Sequence, residues 1–239
     1  MESISRRNFV KSSMAASAAL AAAATSTTSG KPRHAAAQAK QVRIIGICCS
    51  PRKAKTTAAS LRVCLEAAKE VASSIEVELI ELAGLRIEGS LAAGILLAPD
   101  QKDDFDQLIP KLSDPAVGGI IVGTPVYFGN MTALCKAFLD RCIAFRKNNF
   151  ALSNKVAGVL AVGAARNGGQ ELTIQSVQAA LLCQEMIIVG DARPGARIGA
   201  TIWNDGKGDV TNDEFGMASA RNLGRRVAQV SLHLRGIAI

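Results

Sequence analysis

Five apolar runs, each separated from the next by helical periodicity or irregular chain, constrain this sequence more than any other feature. They are VRIIGI (Val42–Ile47), IEVELIEL (Ile75–Leu82), VGGIIVGTPVYFG (Val117–Gly129), KVAGVLAVG (Lys155–Gly163) and EMIIVG (Glu185–Gly190). Four are near-continuous in apolar residues, as strands buried on both faces are; the second alternates apolar with acidic, as a half-buried strand does. Between and after them the period changes. Thr57–Ser73 places Leu61, Leu65, Ala68 and Ala72 on one helical face. Further helices are predicted over Asp103–Leu112, Met131–Ile143 and Thr173–Cys183. A closing helix over Asn212–Leu234 is capped by Asn212 or Asp213. Ala83–Pro99 and Asp191–Thr211 show no period and read as irregular chain. Strands that alternate with helices predict an α/β fold, a doubly wound five-stranded parallel sheet in a three-layer α/β/α sandwich.

The first forty residues are of another kind. A twin arginine stands in SRRNFVK (Ser5–Lys11), ahead of a short alanine-rich run from Met14 to Ala24, then Lys31 and Arg33, then Ala37-Gln38-Ala39. That order predicts a twin-arginine signal peptide over residues 1–39, cleaved after Ala39, with a single domain over 40–239. The run is too short and too weakly apolar to span a bilayer. The chain is thus expected to use the Tat export machinery and to be periplasmic, or tethered at the outer face of the inner membrane if uncleaved. The leader holds five of the Lys and Arg residues and one Glu, so half of the formal net charge of +8 belongs to it. What remains is an ordinary surface charge, and aromatics make up only 4% of the chain, so a nucleic-acid partner is not expected.

Six cysteines, at positions 48, 49, 64, 135, 142 and 183, show no C-x-x-C pair, and His233 is the one histidine beyond the leader. This spacing does not support a zinc or iron-sulfur site, and buried structural thiols are expected instead.

In an open parallel sheet, ligands bind beyond the carboxyl ends of the strands, where strand order reverses. Three loops there carry unusual chemistry. After the first run, Ser50-Pro51-Arg52-Lys53-Ala54-Lys55-Thr56-Thr57 joins hydroxyls and cations to the free N–H groups of a helix start. Ser50, Arg52, Lys55, Thr56 and Thr57 suit a terminal phosphate, although neither a dinucleotide glycine fingerprint nor a P-loop is present. After the third run come Pro125, Val126, Tyr127, Phe128, Gly129 and Asn130. A rigid proline, apolar and aromatic groups and open backbone amides suit a flat heteroaromatic ring; taken alone, Tyr127 and Phe128 would instead read as core residues. After the fourth run, Asn167-Gly168-Gly169-Gln170 lets backbone approach closely, so Gly168, Gly169 and Gln170 could face a ring carbonyl. A phosphate at one strand end and a ring across two others describe a mononucleotide such as FMN.

At these residues the chain resembles the NADPH-dependent FMN reductase family of flavodoxin-like proteins, nearest its iron-sulfur flavoprotein branch. Cys49–Thr57 corresponds to that branch's G-S-P-R-K-x-S-N-T, Thr124–Gly129 to T-P-V-Y-F-G, and Gly168–Glu171 to G-G-Q-E. LCKAFLDR (Leu134–Arg141) and DEFGMASARNLGRRVA (Asp213–Ala228) resemble its later helices. The resemblance implies FMN as cofactor, NAD(P)H as electron donor, a small-molecule or protein electron acceptor such as a quinone or free flavin, and a homo-oligomer. No catalytic side chain is implied, because the flavin carries the chemistry. Two departures stand out. Ala83–Lys102, where the branch carries its cluster cysteines, has none, so no iron-sulfur cluster is expected. Cys49 and Lys55 replace small residues, and the cysteine is expected to crowd the loop. Two other functions remain open: an exported electron carrier without NAD(P)H turnover, and a flavin-free binding protein that keeps only the scaffold.

Overall fold

The run from Val42 forms β1 (Val42–Cys48), whose side chains divide between two buried faces. Ile45, Ile47 and Cys49 enter one apolar cluster, whereas Val42, Ile44 and Cys48 enter the other. That division is the period of two of an extended chain, and it makes β1 the floor of both cores. The computed structural model describes residues 41–206 and 208–238, and the signal-peptide reading falls outside them.

Around β1 the chain builds α1 (Thr56–Lys69), β2 (Ile75–Glu81), α2 (Ile109–Ser113), β3 (Val117–Pro125), α3 (Ala133–Arg141), α4 (Ile143–Lys147), β4 (Val156–Gly163), α5 (Gln170–Leu182), β5 (Ile187–Ile188), β6 (Ala200–Trp203) and α6 (Glu214–Leu234). The sheet is parallel in the order β2-β1-β3-β4-β5, with β6 also pairing β4. Order reverses between β1 and β3, the switch point of a flavodoxin-like sheet. Helices α1 and α6 cover one face, and α3, α4 and α5 cover the other.

The sequence expectation of five strands is refined in one place. The fifth strand position is filled twice: β5 pairs Val156–Ala157, the chain leaves the sheet at Val189, and β6 returns to pair Leu160–Gly163. The excursion is held by Asp191, which is fully buried and accepts from Arg197 N–H (2.5 Å) and Ser219 Oγ (2.6 Å). Residues 191–211 are therefore not wholly irregular. The helix expected over Asp103–Leu112 begins as a 3₁₀ turn at Phe105–Leu108 before α2, and that expected over Met131–Ile143 breaks at Cys142 into α3 and α4.

Of the two candidate caps of α6, the structure uses Asp213, whose carboxylate accepts from Gly216 N–H. All six cysteines are free, and only Cys183 is exposed. Burial above all, helped by Glu81 at Cys48 and by neighbouring thiols at Cys49, pushes the Cys48 thiol up to about 11 and Cys49 and Cys64 well above the usual range, so none of these is a ready nucleophile. A maleimide is expected to modify the native protein once, at Cys183; peptide mass mapping that finds label at Cys49 or Cys64 before unfolding would contradict this burial.

Candidate functional site

The three loops singled out in the sequence leave the same end of the sheet, from β1, β3 and β4. In the first, Ser50 is buried and its Oγ accepts from Arg52 N–H (3.1 Å), which turns the chain sharply out of the strand. Arg52, Lys53 and Lys55 are exposed, whereas Thr56 and Thr57 are buried at the start of α1. Lys55 occupies the N-cap position of α1 and supplies no side-chain cap. The first-turn N–H groups of a long helix thus open toward a loop bearing three cations, a combination that attracts a dianion. Ala54 takes a left-handed φ of 54°, and its N–H donates to Glu81 Oε2 (2.7 Å) at the end of β2. Arg62 faces the same carboxylate at 3.7 Å, so Glu81 fixes the loop while part of its charge is offset.

Cys49 does not crowd this loop. It is fully buried, and it enters the core on the α3 side while its N–H donates to Gly123 O (2.8 Å). The loop is formed by the residues beyond it.

The second loop is a hairpin turn. Tyr127 N–H donates to Asn130 O (2.8 Å) and Asn130 N–H to Tyr127 O (3.1 Å). Phe128 and Gly129 between them have φ of 52° and 72°, the two positive values of a type I′ turn. Glycine holds such a backbone freely; phenylalanine does so at a cost of about 1–2 kcal/mol. The outcome for Phe128 is a ring wholly in solvent, with Tyr127 45% exposed beside it. These aromatics are not core. Strain of this type gathers at ligand-binding positions. Pro125 is buried at the strand end, Val126 is half-buried, and Asn130 Oδ1 accepts from Met131 N–H (2.8 Å).

The third loop is pinned by Gln170. Its side chain is buried, with Oε1 accepting from Gly168 N–H (2.8 Å) and Nε2 donating to Ala165 O (2.6 Å) and Ile202 O (3.3 Å). The amide is thereby engaged inside the loop, and it is the half-buried Gly168 and Gly169 that present backbone. Gly169 has φ of 96°, and a Cβ there would lie 2.9 Å from Gly129 Cα. The second and third loops therefore touch backbone to backbone.

Two residues outside the expected site residues hold the loops together. Thr132 is buried, its Oγ1 donates to Cys49 O (2.8 Å) and accepts from Cys135 N–H (3.1 Å), and its N–H donates to Thr124 Oγ1 (3.3 Å). It joins the ends of β1 and β3 to the start of α3. A threonine directly ahead of a helical run is an N-cap signal, so its cap was findable; its reach to Cys49 was not. Asp213 is the second. Its buried carboxylate accepts from Trp203 N–H (2.6 Å), Gly216 N–H (2.9 Å) and Arg166 of the third loop (2.7 Å).

The residues present fit a mononucleotide. The uncapped α1 start with its cations suits a phosphate, and the Tyr127–Asn130 hairpin against Gly169 offers an aromatic edge and close backbone.

Comparison with known proteins decides the class. The family model described as NADPH-dependent FMN reductase matches residues 42–198. The chain belongs to that family. An iron-sulfur flavoprotein of Methanocaldococcus jannaschii is 40% identical over 192 residues, covering 79% of this chain and 97% of that one. An NAD(P)H dehydrogenase (quinone) of Afipia carboxidovorans is 30% identical over 184 residues, covering 72% and 88%. Among solved structures, a flavodoxin, WrbA-like protein from Agrobacterium tumefaciens matches with a TM-score of 0.54 at 19% identity, over 80% of this chain and 98% of that one. It confirms the flavodoxin-like fold. As an FMN reductase family member the chain is a flavin oxidoreductase, and its family implies FMN, NAD(P)H and a small redox partner. Among the described residues no three His, Cys, Asp or Glu side chains group to hold a metal.

Proposed function

We propose that this flavin oxidoreductase holds FMN across the loops after β1, β3 and β4, and uses NAD(P)H to reduce FMN, a quinone or a similar small acceptor. The observation that carries the reading is the convergence of an uncapped, cation-flanked helix start with the exposed Tyr127–Phe128 hairpin against Gly169. Bound FMN would supply the redox chemistry, taking hydride at N5 and passing electrons to the acceptor. The chain's part is to bind and orient. Ser50, Arg52, Lys55, Thr56 and Thr57 hold the phosphate. Pro125, Val126, Tyr127, Phe128, Gly129 and Asn130 line the ring, with Gly168 and Gly169 offering amides and Gln170 fixing their loop. The exposed hairpin leaves a face open to donor and acceptor in turn.

The twin arginine at Arg6-Arg7 supports export by the Tat route to the periplasm. It also favours a second reading, an exported electron carrier, since NAD(P)H is scarce outside the cytoplasm. The absence of cysteine from Ala83 to Lys102 supports a protein without an iron-sulfur cluster, unlike relatives that bear that name.

The test is the absorption spectrum of protein purified without added cofactor, followed by mass identification of the released chromophore and iron analysis. FMN without iron, together with steady NAD(P)H oxidation in the presence of a quinone, is the expected result. FMN with no NAD(P)H turnover selects the carrier, and a colourless protein that takes up no FMN overturns both. Arg52→Ala is expected to weaken FMN binding about tenfold, the effect of one lost charge-assisted phosphate contact; unchanged affinity would remove Arg52 from the phosphate site.

A further inference from the structure

At the opposite end of the sheet, below the starts of β3 and β4, lies a cavity of about 600 Å³. That volume is in the range of small-molecule sites, roughly 300–1,000 Å³. Its polar wall is made by Ser113, Lys155 and Arg235, and its apolar wall by Val117, Ile187 and Leu234. The chemistry of the polar wall is unresolved within the fold. Lys155 is 8% exposed, and its Nζ donates to Asp114 O (2.8 Å) and Val117 O (3.0 Å), which leaves one N–H of the ammonium undirected. Arg235, at the end of α6, uses one nitrogen on Pro115 O (2.7 Å). Its Nε lies near Gly118, where a Cβ would stand 3.3 Å away, so the guanidinium lies along the floor of the same cavity. Ser113 Oγ is buried without a hydrogen-bond partner among the described residues.

Two cations and an orphaned hydroxyl thus share one cavity. Burial first, and Arg235 second, push the Lys155 ammonium down to about 8. The nearby carboxylate, Asp114, offsets this shift only in part, since its oxygens are engaged by Arg43 (2.9 Å) and the Ala116 N–H (2.8 Å). Lys155 is a buried charge, Arg235 is an exposed one of the same sign at the mouth of the cavity, and a buried charge is retained where something of the other sign answers it.

We propose that this cavity binds a small organic anion, its carboxylate or phosphate held by Lys155, Arg235 and Ser113 and its apolar body lying along Val117, Ile187 and Leu234. The site is separate from the flavin loops, since β3 spans about 30 Å between the two ends of the sheet. Such a ligand would tie the loop after α2, the start of β4 and the end of α6 into one unit.

The experiment uses the full chain saturated with FMN, so that the flavin loops are occupied. Thermal unfolding and calorimetric titration are run with benzoate and with inorganic phosphate, each against chloride at equal ionic strength. At least one probe is expected to raise Tm saturably, and the one that does so names the headgroup. Arg235→Gln is expected to weaken that binding about tenfold. Ser113→Ala is expected to weaken it about fivefold while leaving the ligand-free Tm unchanged, because the hydroxyl it removes has no partner to lose. A response lost in either variant places the anion in this cavity. No response beyond chloride from either probe, or a response that survives both substitutions, overturns the proposal.

Discussion

Asp213→Ala is expected to cost about 2–4 kcal/mol of stability and to lower Tm by about 10 °C. The carboxylate is fully buried and serves three segments at once: the third loop through Arg166, β6 through Trp203 N–H, and the start of α6 through Gly216 N–H. Alanine removes a helix cap, worth about 1 kcal/mol. It also leaves the Trp203 N–H without a partner, costing about 1–3 kcal/mol where water cannot replace the carboxylate. The Arg166 pair adds little, because that guanidinium is about half exposed and salt screens it. For a domain of this size each kcal/mol moves Tm by about 2–4 °C. Asp213→Asn keeps an oxygen acceptor and is expected to lose about half as much. Calorimetric unfolding of both variants checks the prediction; equal losses would show that charge, not the three acceptor contacts, carries the effect.

Asp213 also shows what the sequence made legible and what it did not. That a cap stood at residue 212 or 213 followed from local chemistry, because a helix start is signalled within a few residues. That the same carboxylate reaches back to Arg166 and Trp203 did not, since those partners are 47 and 10 residues away. The same limit applies to Thr132, whose bond to Cys49 crosses 83 residues. Periodicity and caps are local signals; ties between loops are set by the folded sheet. The long strands were readable because a parallel strand buried on both faces is a near-continuous apolar run. The four-residue β6 was hidden because Gly190, Gly195 and Gly199 fill the stretch ahead of it with turn signals, and because β5 and β6 divide one strand position between them.

The candidate site was legible in its loops more than in its atoms. Ser-Pro-Arg-Lys, Tyr-Phe-Gly-Asn and Asn-Gly-Gly-Gln each stand at a strand end, and their spacing alone aligns them on one side of the sheet. The direction of each side chain was a separate matter. Tyr127 and Phe128 would read as core residues if taken alone; beside the phosphate loop they read as ring-lining residues, and the I′ turn leaves Phe128 wholly and Tyr127 partly in solvent. Gln170 looked available, yet its amide closes its own loop. Cys49 looked obstructive, yet strand alternation sends its side chain below the loop and into the α3 face.

Gly169→Val is expected to lower FMN affinity about 100-fold while changing stability little. Two costs coincide at this position. The φ of 96° is open to glycine and strained for a β-branched residue, at roughly 1–3 kcal/mol. The new side chain would also meet Gly129 Cα at 2.9 Å from its first carbon, a backbone contact with no flexible end to yield. Folding relieves both by letting the third loop swing away from the Tyr127–Asn130 hairpin, since loops at the surface open at low cost. Binding does not permit that escape, because the ring would need both loops in place. The strain is therefore charged to the complex, and about 2.7 kcal/mol corresponds to the expected factor. Fluorescence titration of the apoprotein with FMN, beside thermal unfolding without it, separates the two terms. A variant that keeps its flavin affinity would show that the loops after β3 and β4 do not close together on the ring. One that loses affinity and Tm in proportion would show that the Gly129–Gly169 contact serves the fold and not the site.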